Sequence, residues 1–240
     1  MTPRVTRSAH AVVLSDADSP HVVSAEQFDP AWWRSRDLVV GGARGRGDVV
    51  FVRAGAETWV LRHFYRGGGM AHVSPDRYVW LGLERTRMWR EWRMLAELRH
   101  RGLPVPAPIG ARVSRRGLLY RGDILTRLIE GTETLADFIQ REPLPASEWR
   151  AVGKLLASFQ RAGVRHDDIN VRNVLRHPDG TLSLIDFDKA RFASPGAWSR
   201  HNLARFRRSL DKLGRRHAAL HFREADWSDL EAGYTERPAP

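Results

Sequence analysis

Two short runs set the tightest constraint on how this chain folds: Arg165-His166-Asp167-Asp168-Ile169-Asn170-Val171-Arg172-Asn173, and then Leu184-Ile185-Asp186-Phe187-Asp188. Between them lie Val174-Leu175, the turn signal Pro178-Asp179-Gly180, and the strand-like Thr181-Leu182-Ser183-Leu184-Ile185. A hairpin folded about Asp179-Gly180 makes positions 173 and 186 equidistant from its centre. The two residues are then expected to face each other across the open end, with α-carbons roughly 4.5–5.5 Å apart. An amide oxygen and a carboxylate so placed can share a divalent cation. Mg²⁺ takes hard oxygen ligands of this kind together with phosphate oxygens.

The order of these residues is that of a phosphoryl-transfer site: His-x-Asp, an Asn five residues after the Asp, and an Asp-Phe pair thirteen residues further on. Turns favour Asp and Asn, so either motif alone carries no weight. Both, at the two ends of one expected hairpin, point to a phosphotransferase.

The chain has 240 residues and 42% apolar content, enough for one compact domain or two small lobes. It contains no cysteine, which excludes disulfides and thiolate metal sites and suits a reducing compartment. No apolar run approaches the roughly 18 residues that span a bilayer. Near the N-terminus only Ala11-Val12-Val13-Leu14 is apolar, too short for a signal-peptide core, so a cytosolic or at most peripheral protein is expected. The net charge is +11, and Lys154, Lys189 and Lys212 are the only lysines among 39 basic residues. Codon bias can explain arginine over lysine but not the excess, which suggests an anionic partner: nucleic acid, acidic lipid or a phosphorylated substrate.

Asp29-Pro30 reads as a helix start. Leu38-Val39-Val40 and Val49-Val50-Phe51-Val52 read as strands around a glycine loop, 41–47, whose Gly45 and Gly47 could let backbone N–H groups approach phosphate. The loop is neither a P-loop nor a dinucleotide fingerprint. Thr58–Arg62 is the next strand. A helix is expected from about Glu84 to Arg99, with Met88, Trp92, Leu95 and Leu98 on one stripe and Glu91 inside it. An inward carboxylate needs a cationic partner, while a partly exposed Glu91 could pair with a neighbouring Arg of its own helix. In kinases a basic residue on the third strand supplies it while holding nucleotide phosphates, and Arg62 is the candidate here. Leu118–Ile129 is expected to be a hairpin, Glu130-Gly131 a hinge, and 147–160 a helix behind the catalytic run. After Asp188 come an amphipathic helix, about Trp198 to Leu213, and a shorter one near Trp227. No Ala-Pro-Glu element is present, which favours a compact kinase for a small or lipid-linked acceptor over a regulated protein kinase.

The chain resembles the 3-deoxy-D-manno-octulosonic acid (Kdo) kinases, of the lipopolysaccharide kinase group within the protein-kinase-like fold. The resemblance runs from about Val39 to Trp227. Its carriers are Ala43-Arg44-Gly45-Arg46-Gly47, Leu61-Arg62-His63 with Arg66-Gly67-Gly68, Asp76-Arg77-Tyr78-Val79-Trp80 and Glu84-Arg85-Thr86-Arg87. Gly102-Leu103-Pro104-Val105-Pro106, Leu184–Asp188 and Asn202-Leu203-Ala204-Arg205 with Arg208-Ser209-Leu210 complete it. It implies an α+β fold of two lobes: an N-terminal antiparallel sheet with one main helix (1–130, nucleotide-binding) and a reduced, mainly helical C-terminal lobe (131–240, catalytic). It further implies phosphorylation by ATP and Mg²⁺ of the 4-hydroxyl of Kdo on a lipid A precursor, at the cytoplasmic face of an anionic bacterial inner membrane. By motif position Asp168 resembles the catalytic Asp, which orients the sugar hydroxyl and accepts its proton. Asn173 and Asp186 resemble the Mg²⁺ ligands, and Arg62, Glu91, Gly45 and Gly47 fall at nucleotide-binding positions. The chain departs from the pattern at Asp167, where the family has a small residue, and at Ile169 for the usual Leu. It departs again at Arg62 for the usual kinase Lys and at Asp188 for Gly.

Other readings of the same residues are a kinase for heptose or an aminoglycoside-like molecule, and a nucleic-acid-binding protein on a degenerate kinase fold. The charge and nine tryptophans suit the last. No nucleic-acid-binding signature accompanies them and the metal-type pair is intact, so no nucleic-acid partner is expected. The arginines of the 198–213 helix, notably Arg205, Arg207 and Arg208, are candidates for lipid phosphates.

Overall fold

The computed structural model describes residues 1–8, 11–43, 49–65, 76–194, 196 and 198–236, with backbone alone at 43 and 199. Strands and six helices form two compact units. The first comprises Met1–Arg101 and Pro106–Glu130, the second Gly102–Val105 and Gly131–Pro240.

The first unit is built on an antiparallel sheet. Its elements are β1 (Pro3–Arg7), β2 (Val12–Asp16), α1 (Pro30–Arg34), β3 (Val39–Ala43), β4 (Val49–Ala54), β5 (Glu57–His63), β6 (Tyr78–Val79), α2 (Arg87–His100), β7 (Pro108–Arg116) and β8 (Leu119–Arg127). The strand order is β1-β2-β7-β8-β5-β4-β3, with β6 added on β8. Alternation along the strands makes two buried faces. One packs Val50, Val52, Trp59, Leu61 and Leu125 against Phe28 and Trp33. Helix α1 brings Trp33 there and is capped as expected, Asp29 Oδ1 accepting from the Ala31 N–H at 2.9 Å. The other face receives α2.

Two expectations need correction. Helix α2 begins at Arg87, not Glu84, because Gly82 (φ +103°) leads into a 3₁₀ turn over Leu83–Arg85 and Thr86 is extended. Thr86 is buried, with Oγ1 donating to the Leu83 carbonyl at 2.7 Å. Leu118–Ile129 is not a hairpin: β8 runs unbroken through Gly122 and pairs with β7 across the Gly117 turn. Gly122 lies where that expected hairpin would have to turn. It is instead a packing glycine, since a Cβ there would lie 2.3 Å from Met88 Cε and 2.6 Å from the Arg112 carbonyl oxygen. Strands β1 and β2 were not anticipated; β1 is exposed throughout and carries no periodic apolar signal.

The second unit contains β9 (Glu133–Thr134), α3 (Leu135–Arg141), α4 (Ala146–Arg161), β10 (Val164–His166), β11 (Val174–Arg176), β12 (Leu182–Leu184), β13 (Ala190–Phe192), α5 (Trp198–Gly214) and α6 (Glu224–Thr235). Helix α4 follows the expected apolar periodicity, burying Trp149, Val152, Leu155, Leu156 and Phe159, and Gly163 (φ +75°) follows its end. It crosses α6 with backbones almost touching: a Cβ on Gly153 would lie 2.0 Å from the Leu230 carbonyl oxygen, and one on Gly233 2.0 Å from that of Arg150. Among the described residues no helix is long and apolar enough to cross a membrane.

Candidate active site

The catalytic-type run leaves α4 through Gly163 and enters β10, which pairs antiparallel with β13. Asn202 of α5 clamps this strand, Nδ2 donating to the Val164 carbonyl (3.1 Å) and Oδ1 accepting from the His166 N–H (3.3 Å). His166 is buried, its ring 5.2 Å from that of Phe187. Burial holds its pKa below the ordinary imidazole value, so the ring is neutral near pH 7. Its Nδ1 accepts from the Asp168 N–H at 3.2 Å, which places the ring proton on Nε2. The buried imidazole thus fixes the backbone direction at Asp168.

The Asp168 carboxylate is partly exposed, and Lys189 Nζ lies 3.0 Å from its Oδ2. Its main-chain oxygen accepts from Asn170 Nδ2 (2.8 Å) and Asn173 Nδ2 (3.1 Å), tying the loop's two ends together. Ser209 Oγ of α5 accepts from the Val171 N–H at 3.0 Å. Lys189 was not singled out by sequence reasoning. The available signal was its position directly after Asp188, as one of three lysines in an arginine-rich chain. Asp167, the departure from the resembling pattern, faces other partners: Arg165 Nε at 2.8 Å and Arg191 Nη1 at 2.6 Å. Burial opposes its ionisation, but these two hydrogen bonds outweigh it and hold the carboxyl below the usual carboxylate range. Asp167 therefore braces β10 on β13.

The hairpin after Asn173 forms, but one step away from the expected register. Val174 pairs with Leu184 and Arg176 with Leu182, so Asn173 stands opposite Ile185, whose N–H donates to the Asn173 carbonyl at 2.9 Å. The cause is the turn, in which His177 pairs with Thr181 around three residues and Gly180 takes φ +83°. A two-residue turn at Asp179-Gly180 had been assumed, and one residue of loop shifts every pairing by one. Asp186 follows directly and leaves the ladder at φ +64°, a left-handed backbone that is uncommon for a residue other than glycine.

These residues fit a magnesium site. Asn173 is buried, and its Nδ2 is committed to the Asp168 carbonyl, so its Oδ1 is the arm of the amide left for a cation. With the Asp186 carboxylate this is a hard-oxygen donor set. Among the described residues no three His, Asp or Glu side chains cluster to hold a metal unaided.

In the first unit, Arg62 of β5 and Glu91 of α2 form the expected ion pair, Nη2 reaching Oε1 and Oε2 at 2.5 Å. Glu91 is 3% exposed and the Arg62 side chain 26%. Strand alternation puts Arg62 on the face opposite Trp59 and Leu61, toward α2. Glu84, ahead of the helix, pairs with Arg93. Gly45 and Gly47 lie outside the described residues, although β3 and β4 flank them as expected. A second polar cluster had no local signature. His63 Nδ1 lies 2.6 Å from Asp123 Oδ1, and Arg112 Nε donates to Asp123 Oδ2 at 2.9 Å. Arg112 also donates to the Ala25 and Phe28 carbonyls at 3.0 Å.

Arg207 of α5 is removed from the lipid-phosphate candidates. It is bonded to Asp211 (2.8 Å) and Glu224 (3.0 Å), with its guanidinium carbon 5.2 Å from the Trp227 ring centroid, so it joins α5 to α6. Arg205 and Arg208 are exposed.

Comparison with known proteins sets the chain among the kinases. Residues 30–234 match the model of the Lipopolysaccharide kinase (Kdo/WaaP) family, and the chain belongs to that family. It is similar to the 3-deoxy-D-manno-octulosonic acid kinase of Haemophilus influenzae (strain 86-028NP), 37% identical over 222 residues that cover 88% of this chain and 90% of that protein. The enzyme of the same name from Actinobacillus succinogenes is 36% identical over 236 residues, covering 95% and 98% of the two chains. That of Stenotrophomonas maltophilia (strain R551-3) is 40% identical over 216 residues, covering 89% and 85%.

Proposed function

We propose that the protein is a Kdo kinase, transferring the terminal phosphoryl group of ATP to the 4-hydroxyl of a Kdo residue on a lipid A precursor. The observation that carries this reading is the Asp168 loop: a carboxylate held by Lys189, on a loop closed by Asn173, in a chain of the lipopolysaccharide kinase family. In this reading the two compact units are the lobes of a protein-kinase-like fold, the first, Met1–Arg101 with Pro106–Glu130, binding nucleotide and the second, Gly102–Val105 with Gly131–Pro240, carrying the chemistry.

Asp168 orients the acceptor hydroxyl and takes its proton as the oxygen attacks phosphorus. Lys189 aims the carboxylate; it is a positioning residue. Asn173 and Asp186 would hold Mg²⁺, which when bound neutralises charge on the phosphate oxygens. Arg62, fixed by Glu91, supplies the cation that kinases usually draw from lysine, and Gly45 and Gly47 are the glycines by which backbone N–H groups would approach phosphate. A guanidinium is always charged and binds phosphate in a fork, so the substitution is chemically competent. An acyl-chain-bearing acceptor puts the protein at the cytoplasmic side of an anionic inner membrane, as a peripheral protein.

The test is Mg²⁺-dependent ADP release with a Kdo-lipid A precursor as acceptor. Release that requires the acceptor supports the reading. ATP turnover indifferent to it, or specific to a heptose acceptor, overturns it.

A further inference from the structure

The stretch Asp76-Arg77-Tyr78-Val79-Trp80 lies outside the residues assigned above to phosphotransfer. Strand β6 adds to β8 with Tyr78 opposite Tyr120 and Val79 opposite Leu119, and the Trp80 N–H donates to the Leu118 carbonyl at 2.9 Å. Tyr78 and Tyr120 are stacked, with centroids 5.3 Å apart, and Trp80 packs edge-on to Tyr120. This aromatic base holds rigidly a sheet corner that also includes the β7–β8 turn.

The corner exposes what a soluble protein ordinarily buries. Leu118 is 77% exposed, Leu81 65%, Val79 57% and Leu119 36%, four of the ten exposed large apolar side chains among the described residues. Scattered single exposures need no explanation, but a cluster on one rigid edge marks a contact surface. Charge says which kind. Leu119 pairs with Arg116 and Ser114 with Arg121, so strand alternation puts Arg116 and Arg121 on the face of Leu119 and Val79, while Arg115, paired with Tyr120, and Leu118, beside Trp80, lie on the other face; the corner presents both faces at its edge. Arg77, Arg115, Arg116, Arg121 and Tyr120 line a shallow cavity of about 210 Å³ there, and Arg115 lies over the Trp80 ring. Asp76, largely buried, pairs with Arg121 at 2.8 Å.

We infer that this corner is a membrane-docking surface. Leu81, Leu118, Val79 and Leu119 enter the headgroup boundary of an anionic bilayer, Trp80 sits at the interface, and Arg77, Arg115 and Arg116 meet lipid phosphates. The chemistry is that of interfacial binding: apolar anchors for insertion, aromatic side chains at headgroup depth, and arginines whose apolar stems lie along the boundary. The occupant is a bilayer because a lipid-linked acceptor requires the enzyme to reach one. The inference rests in that respect on the proposed function. It assigns membrane contact to the first unit, where the sequence had suggested the arginines of α5.

The test uses the full chain and vesicles of phosphatidylethanolamine with phosphatidylglycerol, against vesicles of phosphatidylcholine alone. Wild type should co-sediment with the anionic vesicles and far less with the neutral ones. Leu81→Glu with Leu118→Glu alters only exposed side chains and should abolish sedimentation without lowering Tm. Arg77→Gln with Arg116→Gln should weaken it by about fivefold for each charge removed. Neutralising Arg205 and Arg208 of α5 should leave it unchanged. Wild type failing to bind anionic vesicles, or the Leu81/Leu118 variant binding like wild type, overturns the inference. So does a dimer that Leu118→Glu converts to monomer, because a second copy then covers the corner. Phosphorylation of a water-soluble Kdo glycoside, measured in parallel, separates the two readings. Turnover without vesicle binding sinks the docking surface alone, and vesicle binding without turnover sinks the kinase reading alone.

Discussion

Lys189 Nζ stands 3.0 Å from Asp168 Oδ2, joining two residues twenty-one positions apart in sequence across the β10–β13 pair. Both side chains are partly exposed, so the contact contributes little to stability and its consequence is for orientation. Asp168→Ala should therefore fold normally and lose about 10²–10⁴-fold in kcat, the usual contribution of a positioned base. Lys189→Met should lower kcat by about tenfold, leaving Tm unchanged, and Lys189→Arg should restore part of it. Equal activity of Lys189→Met and wild type would show that the contact positions nothing.

Asn173 and Asp186 are tested by magnesium titration. Asp186→Ala should abolish use of Mg-ATP, and Asn173→Ala should shift the Mg²⁺ requirement upward. Asp186→Gly adds a sharper measurement, because glycine accepts φ +64° without penalty. That variant should be inactive yet more stable than Asp186→Ala, by about 1 kcal/mol. Identical Tm values for the glycine and alanine variants would mean the strained backbone has no bearing on the site.

The Arg62–Glu91 pair calls for a double-mutant cycle. Removing one partner of a buried pair costs about 3–5 kcal/mol, and we expect the low end because Arg62 keeps 26% of its side chain exposed. Arg62→Met and Glu91→Leu should each raise KM for ATP, and the double variant should lose less than the sum. Strict additivity of stability and of KM effects would show no coupling.

His63 makes stability depend on pH. Burial disfavours its charged form, but hydrogen bonds and charge from Asp123 and then Asp76 outweigh this and raise its folded pKa above 6.5. The folded state thus holds the proton more tightly than the unfolded chain. The stabilisation is fully present below pH 6.5 and fades as pH rises through the folded value. The Tm difference between wild type and His63→Gln should be larger at about pH 5.5 than at about pH 8.5. A difference independent of pH, or growing with it, contradicts the assignment.

Gly153 and Gly233 let α4 and α6 cross at backbone contact. Gly153→Leu should force the helices apart and cost about 1–3 kcal/mol, which for a chain of this size lowers Tm by about 2–4 °C per kcal/mol. Unchanged thermal unfolding of both Gly153→Leu and Gly233→Leu would show that the crossing does not hold the second unit together.

Much of this was already written in short-range order. The periodic apolar residues of α2, α4 and α5 announced those helices, Asp29-Pro30 announced α1, and the residues from His166 to Asp186 announced a loop followed by a hairpin, because caps, stripes and loop motifs act within a few residues. Even the Arg62–Glu91 pair could be anticipated, since a carboxylate on an apolar stripe demands a cation. What the chain could not disclose locally was decided by packing and by loop length. Gly122 looked like a turn and is a strand residue pressed by Met88. One extra residue in the 178–180 turn moved Asn173 opposite Ile185. Arg207, on the polar face of an amphipathic helix, proved to be tied to Glu224. Lys189 reaches Asp168, and Leu118 stands beside Trp80, only because antiparallel strands bring distant positions together. Such contacts depend on three-dimensional register, and register emerges only when every neighbouring element has been packed.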